Sequence, residues 1–66
     1  MLLNINGEER EFPGEMILAA LLEQLNLKAD RVAVEVNHEI VHRSEWPERQ
    51  LTDGDRLEIV HFVGGG

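Results

Sequence analysis

The sequence predicts a single α+β domain in which one helix crosses one face of a mixed, four- to five-stranded sheet. Three observations predict it. A chain of 66 residues has room for one domain with a modest core. One stretch spaces its apolar residues at helical intervals, while several short stretches alternate at period two. Asn6-Gly7, Pro13-Gly14 and Asp53-Gly54 supply turn chemistry between them.

Leu2 to Asn6 reads as a short strand. Asn6-Gly7 is a two-residue hairpin signal, because both residue types tolerate positive φ. Glu8 to Phe12 is then the returning strand, with a polar alternation that predicts one solvated face. Pro13-Gly14 breaks this strand, and Glu15 is expected to open a helix at the positive end of its dipole. Ile17, Leu18, Leu21, Leu22 and Leu25 fall within an arc of about 140° on that helix, leaving Glu23 and Gln24 outside. Asn26 is the expected left-handed C-cap.

Val32 to Asn37 alternates at period two, with three valines on one face. A bend at His38-Glu39 leads to a short strand over Ile40 to Arg43. Ser44 to Gln50 reads as an irregular excursion, in which Pro47 favours an extended Trp46. Trp46 is expected to cover one end of the core. Thr52 to Asp55 is a tight turn, and Arg56 to Val63 is the last strand. The expected order is therefore β-β-α-β-β-β.

Composition narrows the function. The net charge is −7, and the six basic residues are scattered. Nucleic-acid binding needs clustered Lys and Arg, so it is not expected. The acidity serves solubility or steering toward a basic protein partner, and a monomer is expected. The chain has no cysteine, which excludes disulfides and thiol chemistry of its own. The longest apolar run, Met16 to Leu22, is far short of the ~20 residues that span a bilayer. No signal peptide is evident, so neither membrane association nor export is expected, and the default location is the cytoplasm.

No catalytic constellation emerges. His38, His42 and His61 lack a set of companion ligands, so no metal site is expected. Asp53-Gly54-Asp55 lacks the pattern of a calcium loop and reads as a turn. Glu8, Glu9 and Glu11 form a solvated face, and Ser44 has no triad context.

The compositional anomaly is Gly64-Gly65-Gly66. Terminal glycines are most often frayed ends. They can also form a thin arm, about 10 Å long when extended, that lets another protein close around the backbone. Such an arm would carry an ionised α-carboxylate on Gly66. The domain is taken as residues 1–63 and the tail as 64–66. On the last strand, Leu57 and Ile59 facing the core would turn Glu58, Val60 and Phe62 outward. Val60 and Phe62, with Val63, are then the candidate partner-binding residues beside the tail. A bulge that rotates Phe62 inward is the alternative.

Three segments resemble the ThiS family, the sulfur carriers of bacterial thiamin biosynthesis. They are the opening strand with Asn6-Gly7, the run from Val36-Asn37 through Ile40-Val41 to Arg43 and Trp46, and Asp53-Gly54-Asp55 through Phe62 to Gly66. The resemblance covers essentially the whole chain. It departs at the helix start, where the family often has a polar cap such as Thr and this chain has Met16 and Ile17, a local loss of ~1 kcal/mol.

The resemblance implies a ubiquitin-like β-grasp fold and a carrier that is not itself an enzyme. It implies that Gly66 is adenylated by a ubiquitin-activating-like, ThiF-type enzyme. A cysteine desulfurase relay would supply sulfur, and the resulting thiocarboxylate would serve a ThiG-type thiazole synthase. No cofactor would be bound by the chain, since Mg-ATP belongs to the partner. Gly65 and Gly66 carry over as the family's terminal pair. Carriers for molybdopterin synthesis or tRNA thiolation, and a ubiquitin-like protein modifier, are the alternatives.

Overall fold

A computed structural model describes residues 1–62; Val63, Gly64, Gly65 and Gly66, and with them the expected boundary of the tail, lie outside the described residues. Strand β1 (Leu2–Ile5) pairs antiparallel with β2 (Glu8–Glu11). Asn6 and Gly7 link them with φ of 52° and 87°, the turn their chemistry predicts. All four residues of β2 are exposed, where alternation predicts one solvated face. The reason is position: β2 is an edge strand. Phe12, just past it, turns inward and is buried, with its N–H donating to Met1 C=O at 2.8 Å. The Arg10 guanidinium lies 5.8 Å from the Phe12 ring centre.

The helix begins later than expected. Met16–Ile17 form a two-residue strand, β3, paired with β6 (Gln50–Leu51), and α1 spans Leu18–Gln24. Glu15 therefore lies outside the first turn, which holds no acidic residue. The N-cap is Ile17, which makes no side-chain cap bond. Two backbone carbonyls replace it: Leu18 N–H donates to Arg49 C=O at 2.8 Å, and Ala19 N–H to Trp46 C=O at 3.1 Å. The missing polar cap is thus offset by a non-local one. Packing outweighs the cap in any case. Leu18, Leu21 and Leu22 are buried, and each contributes about 1.5–3 kcal/mol against ~1 for a cap.

The helix ends as Asn26 predicts. Asn26 has φ of 62°, its N–H donates to Glu23 C=O, and Leu27 N–H donates to Leu22 C=O, both at 2.9 Å. This is a Schellman motif, with Asn in the left-handed position.

After a 3-10 turn at Ala29–Arg31, β4 (Val32–Val36) and β5 (Glu39–Val41) form a second hairpin. Asn37 and His38 form its turn, with φ of 51° and 70°. The excursion that follows is more regular than expected, with a 3-10 turn at Arg43–Glu45 before β6. Trp46 is helical (φ −57°, ψ −39°), not extended. Its burial, its backbone N–H bond to Arg43 C=O at 3.2 Å and its indole N–H bond to Val41 C=O at 2.9 Å outweigh the local preference set by Pro47. As expected, it closes one end of the core.

The last strand, β7 (Arg56–His61), lies between β1 and β4. The five-stranded order is β2-β1-β7-β4-β5, and β1 and β7 run parallel while the other pairs are antiparallel. The observed order thus adds the short strands β3 and β6 to the expected one. Leu3, Ile5, Val34, Val36 and Leu57 meet α1 in one core. Among the described residues, no helix is long and apolar enough to cross a membrane.

Candidate functional site

The site is built around the end of β7, which leads into residues 63–66. Both sides of this strand end are held. On one side, Phe62 N–H donates to Arg31 C=O at 2.8 Å, extending the β4 ladder by one step. On the other, β1 has already stopped, and the Asn6 amide takes its place. Ile59 N–H donates to Asn6 Oδ1 at 2.7 Å, and Asn6 Nδ2 donates to Ile59 C=O at 3.2 Å. One side chain thus mimics a strand, and this explains why the hairpin turn uses Asn as well as Gly. Asn6 couples the first hairpin to the strand that leads into residues 63–66.

The base of β7 is anchored by a buried carboxylate. Asp55 accepts from Thr52 N–H at 2.8 Å, Asn37 Nδ2 at 2.9 Å and Thr52 Oγ1 at 3.0 Å. Burial would raise its pKa, but these hydrogen bonds, from the Thr52 backbone first and then Asn37 and the Thr52 hydroxyl, with the Arg49 charge, outweigh it and hold the carboxyl below its ordinary value. Asn37 completes the knot, since Arg56 N–H donates to Asn37 Oδ1 at 3.0 Å and Asn37 N–H donates to Arg56 C=O at 2.7 Å. The turn of the β4–β5 hairpin is therefore fastened to the start of β7.

The alternation of β7 is as expected. Leu57 is buried and Ile59 half-buried, while Glu58, Val60 and Phe62 are exposed. Val60 is 55% and Phe62 53% exposed, so Phe62 is not rotated inward. Val63, Gly64, Gly65 and Gly66, the other candidate site residues, lie outside the described residues.

Sequence reasoning missed Leu2 and Ile40 on this surface. Ile40 is 68% exposed, and its register partner is Glu35 on the outer face of β4. The signal was present: Ile40 and Val41 are neighbours on one strand, so only one of them can face the core. Among the described residues, the large exposed apolar side chains, Leu2, Ile40, Val60 and Phe62, belong to this face, opposite the helix. Phe62 also lines, with Ala33, Ile40 and His42, a shallow depression of about 260 Å³ at the β4–β5 edge.

Among the described residues, no three His, Cys, Asp or Glu side chains converge as metal ligands, and no buried side-chain nitrogen or oxygen lacks a partner. What the fold offers is a well-anchored strand, an apolar face beside its end and the glycines beyond it.

A mixed sheet with parallel β1 and β7 at its centre and one helix across one face is the ubiquitin-like β-grasp architecture. The crystal structure of a thiamine biosynthesis protein (ThiS) from Geobacter metallireducens superposes with a TM-score of 0.86, at 33% identity, over 100% of both chains. The model of the ThiS family matches residues 3–66, and this chain belongs to that family. The sulfur carrier protein ThiS of Bacillus subtilis is 38% identical, with 98% of this chain and 100% of that protein covered. A thiazole synthase of Paramagnetospirillum magneticum is 52% identical over 100% of this chain, which spans 20% of that protein's length.

Proposed function

We propose that this chain is a sulfur carrier of thiamin biosynthesis, with Gly66 as the carrying residue. The carboxylate of Gly66 attacks the α-phosphate of ATP in an adenylating partner, releasing pyrophosphate. Sulfur from a desulfurase persulfide then attacks the acyl carbon and expels AMP. Cleavage of the remaining sulfur–sulfur bond by a thiol leaves a thiocarboxylate for thiazole synthase. Mg-ATP sits in the partner, and the chain acts as a co-substrate and not as an enzyme.

The observation that carries this reading is the match to the ThiS family along residues 3–66, which includes the three glycines. Two further observations support it. The occurrence of a similar domain within a longer thiazole synthase favours that enzyme as the sulfur acceptor. The exposed Val60 and Phe62, next to the strand end, suit Val60, Phe62 and Val63 as partner contacts.

Intact mass spectrometry tests the proposal. The chain is incubated with its adenylating enzyme, Mg-ATP and a sulfur source. Replacement of one terminal oxygen by sulfur raises the mass by about 16 Da, and removal of Gly65 and Gly66 abolishes the change. Lysine conjugates in cell extracts, in place of a thiocarboxylate, would point to a protein modifier and refute the carrier reading.

A further inference from the structure

The outer face of the sheet carries a charge arrangement that the fold does not need. Glu35 on β4 and Glu58 on β7 are register partners, and both belong to the face opposite the helix. The bonding pattern of this ladder makes them a hydrogen-bonded pair: Phe62 N–H to Arg31 C=O and Asn37 N–H to Arg56 C=O fix the same phase four and two residues away, respectively. Facing Cα atoms in such a pair are about 5.5 Å apart. Like charges directly opposite each other across two strands destabilise a sheet. Arg56, opposite Asn37, occupies the adjacent row of this face, on the side away from Val60.

The pair has apolar neighbours on the same face. Ile40 lies across β4 from Glu58, in register with Glu35. Ala33 and Val60 form the next row, and Phe62 stands one step beyond. Two glutamates in register on adjacent strands, bordered by exposed Ile40 and Val60, match one chemistry well. An arginine fork can donate to both carboxylates at once while its aliphatic stem lies on the apolar side chains. The chain's net charge of −7 favours the approach of such a group.

We propose that Glu35 and Glu58 together receive a single basic side chain, preferably arginine, from a protein partner whose surrounding surface is apolar and covers Ile40 and Val60. This rests on the reading that the chain docks on thiazole synthase, and it names the chemistry of that docking surface. The repulsion within the free chain is relieved when the partner's cation enters, so stability and binding respond in opposite directions.

The test uses Glu35→Gln, Glu58→Gln, the double variant and Glu58→Lys, with Glu9→Gln on β2 as a control. Thermal unfolding of the free chain and its Kd for the purified thiazole synthase of the same genome are measured together. Relief of the repulsion raises Tm by about 1–5 °C in either Gln variant, and the double variant gains little more, because the repulsion is removed once. The same Gln variants weaken binding about fivefold or more, Glu58→Lys more than about tenfold, and Glu9→Gln less than about twofold. Wild-type affinity also falls steeply with salt.

A wild-type chain that binds thiazole synthase but whose Kd changes less than twofold in Glu58→Lys overturns this inference alone. A wild-type chain that does not bind overturns the partner assignment, and the inference with it.

Discussion

Asp55 is the residue whose loss should cost this fold most for a single polar change. Its carboxylate accepts from Thr52 N–H, Thr52 Oγ1 and Asn37 Nδ2 at 2.8–3.0 Å. Replacing it by Ala removes all three charged-acceptor bonds, each worth about 1.5–3 kcal/mol when its donor is left dry. Thr52 and Asn37 are themselves exposed, so water recovers part of this, and a loss of about 2–3 kcal/mol is expected. The whole chain should hold only about 3–10 kcal/mol at this length. Tm should then fall by about 10–20 °C. Urea titration followed by fluorescence of the buried Trp46 reads the change, with a midpoint shift of about 2 M for a slope of about 1 kcal/mol/M. The pH dependence gives a second check. Because the folded carboxyl lies below its ordinary value, its stabilisation is full above the unfolded pKa of about 3.9 and is lost as pH falls through the lower folded value. The penalty of Asp55→Ala should therefore shrink below about pH 4. A penalty under about 0.5 kcal/mol at neutral pH, or one that stays constant down to pH 2, would refute the reasoning.

Three further outcomes follow from the structure. His38 holds φ of 70° in the β4–β5 turn, so His38→Gly should stabilise by about 0.5–1 kcal/mol and raise Tm by several degrees in calorimetry. Trp46→Phe keeps most of the buried volume but loses the indole bond to Val41 C=O, and circular dichroism melts should show a loss of about 1–2 kcal/mol. Phe62→Ala should change stability by less than about 0.5 kcal/mol, because Phe62 is half exposed at a strand end, while its affinity for the adenylating enzyme or thiazole synthase falls; a collapse of folding would instead place Phe62 in the core.

Much of this architecture was legible from local patterns. Asn6-Gly7 announced a hairpin because positive φ is a property of those residues themselves. The valines of β4 and the leucines of α1 announced buried faces by their period alone. The outward aim of Val60 and Phe62 followed from the same period-two rule once Leu57 faced the core. The misreadings have a common origin. Met16 and Ile17 carry a helix-compatible pattern, yet they pair with Gln50–Leu51, more than thirty positions away. Trp46 precedes a proline, yet its buried ring and its role in capping α1 hold it helical. Ile40 was legible as apolar and not as exposed, since its neighbour Val41 could equally have been the outward residue.

The sequence by itself determined the turns, the presence of one α-helix among the described residues and the outward alternation of the last strand. These depend on backbone preferences and on periodicities that act within a few residues. Only the tertiary structure decided how that strand is held: the Asn6 fork on Ile59, the Asp55 knot at its base and the carbonyls that cap α1. It also decided that Glu35 faces Glu58. Each of these joins residues far apart in the chain, and register between distant strands is set by the packing of the whole core, which no local pattern encodes.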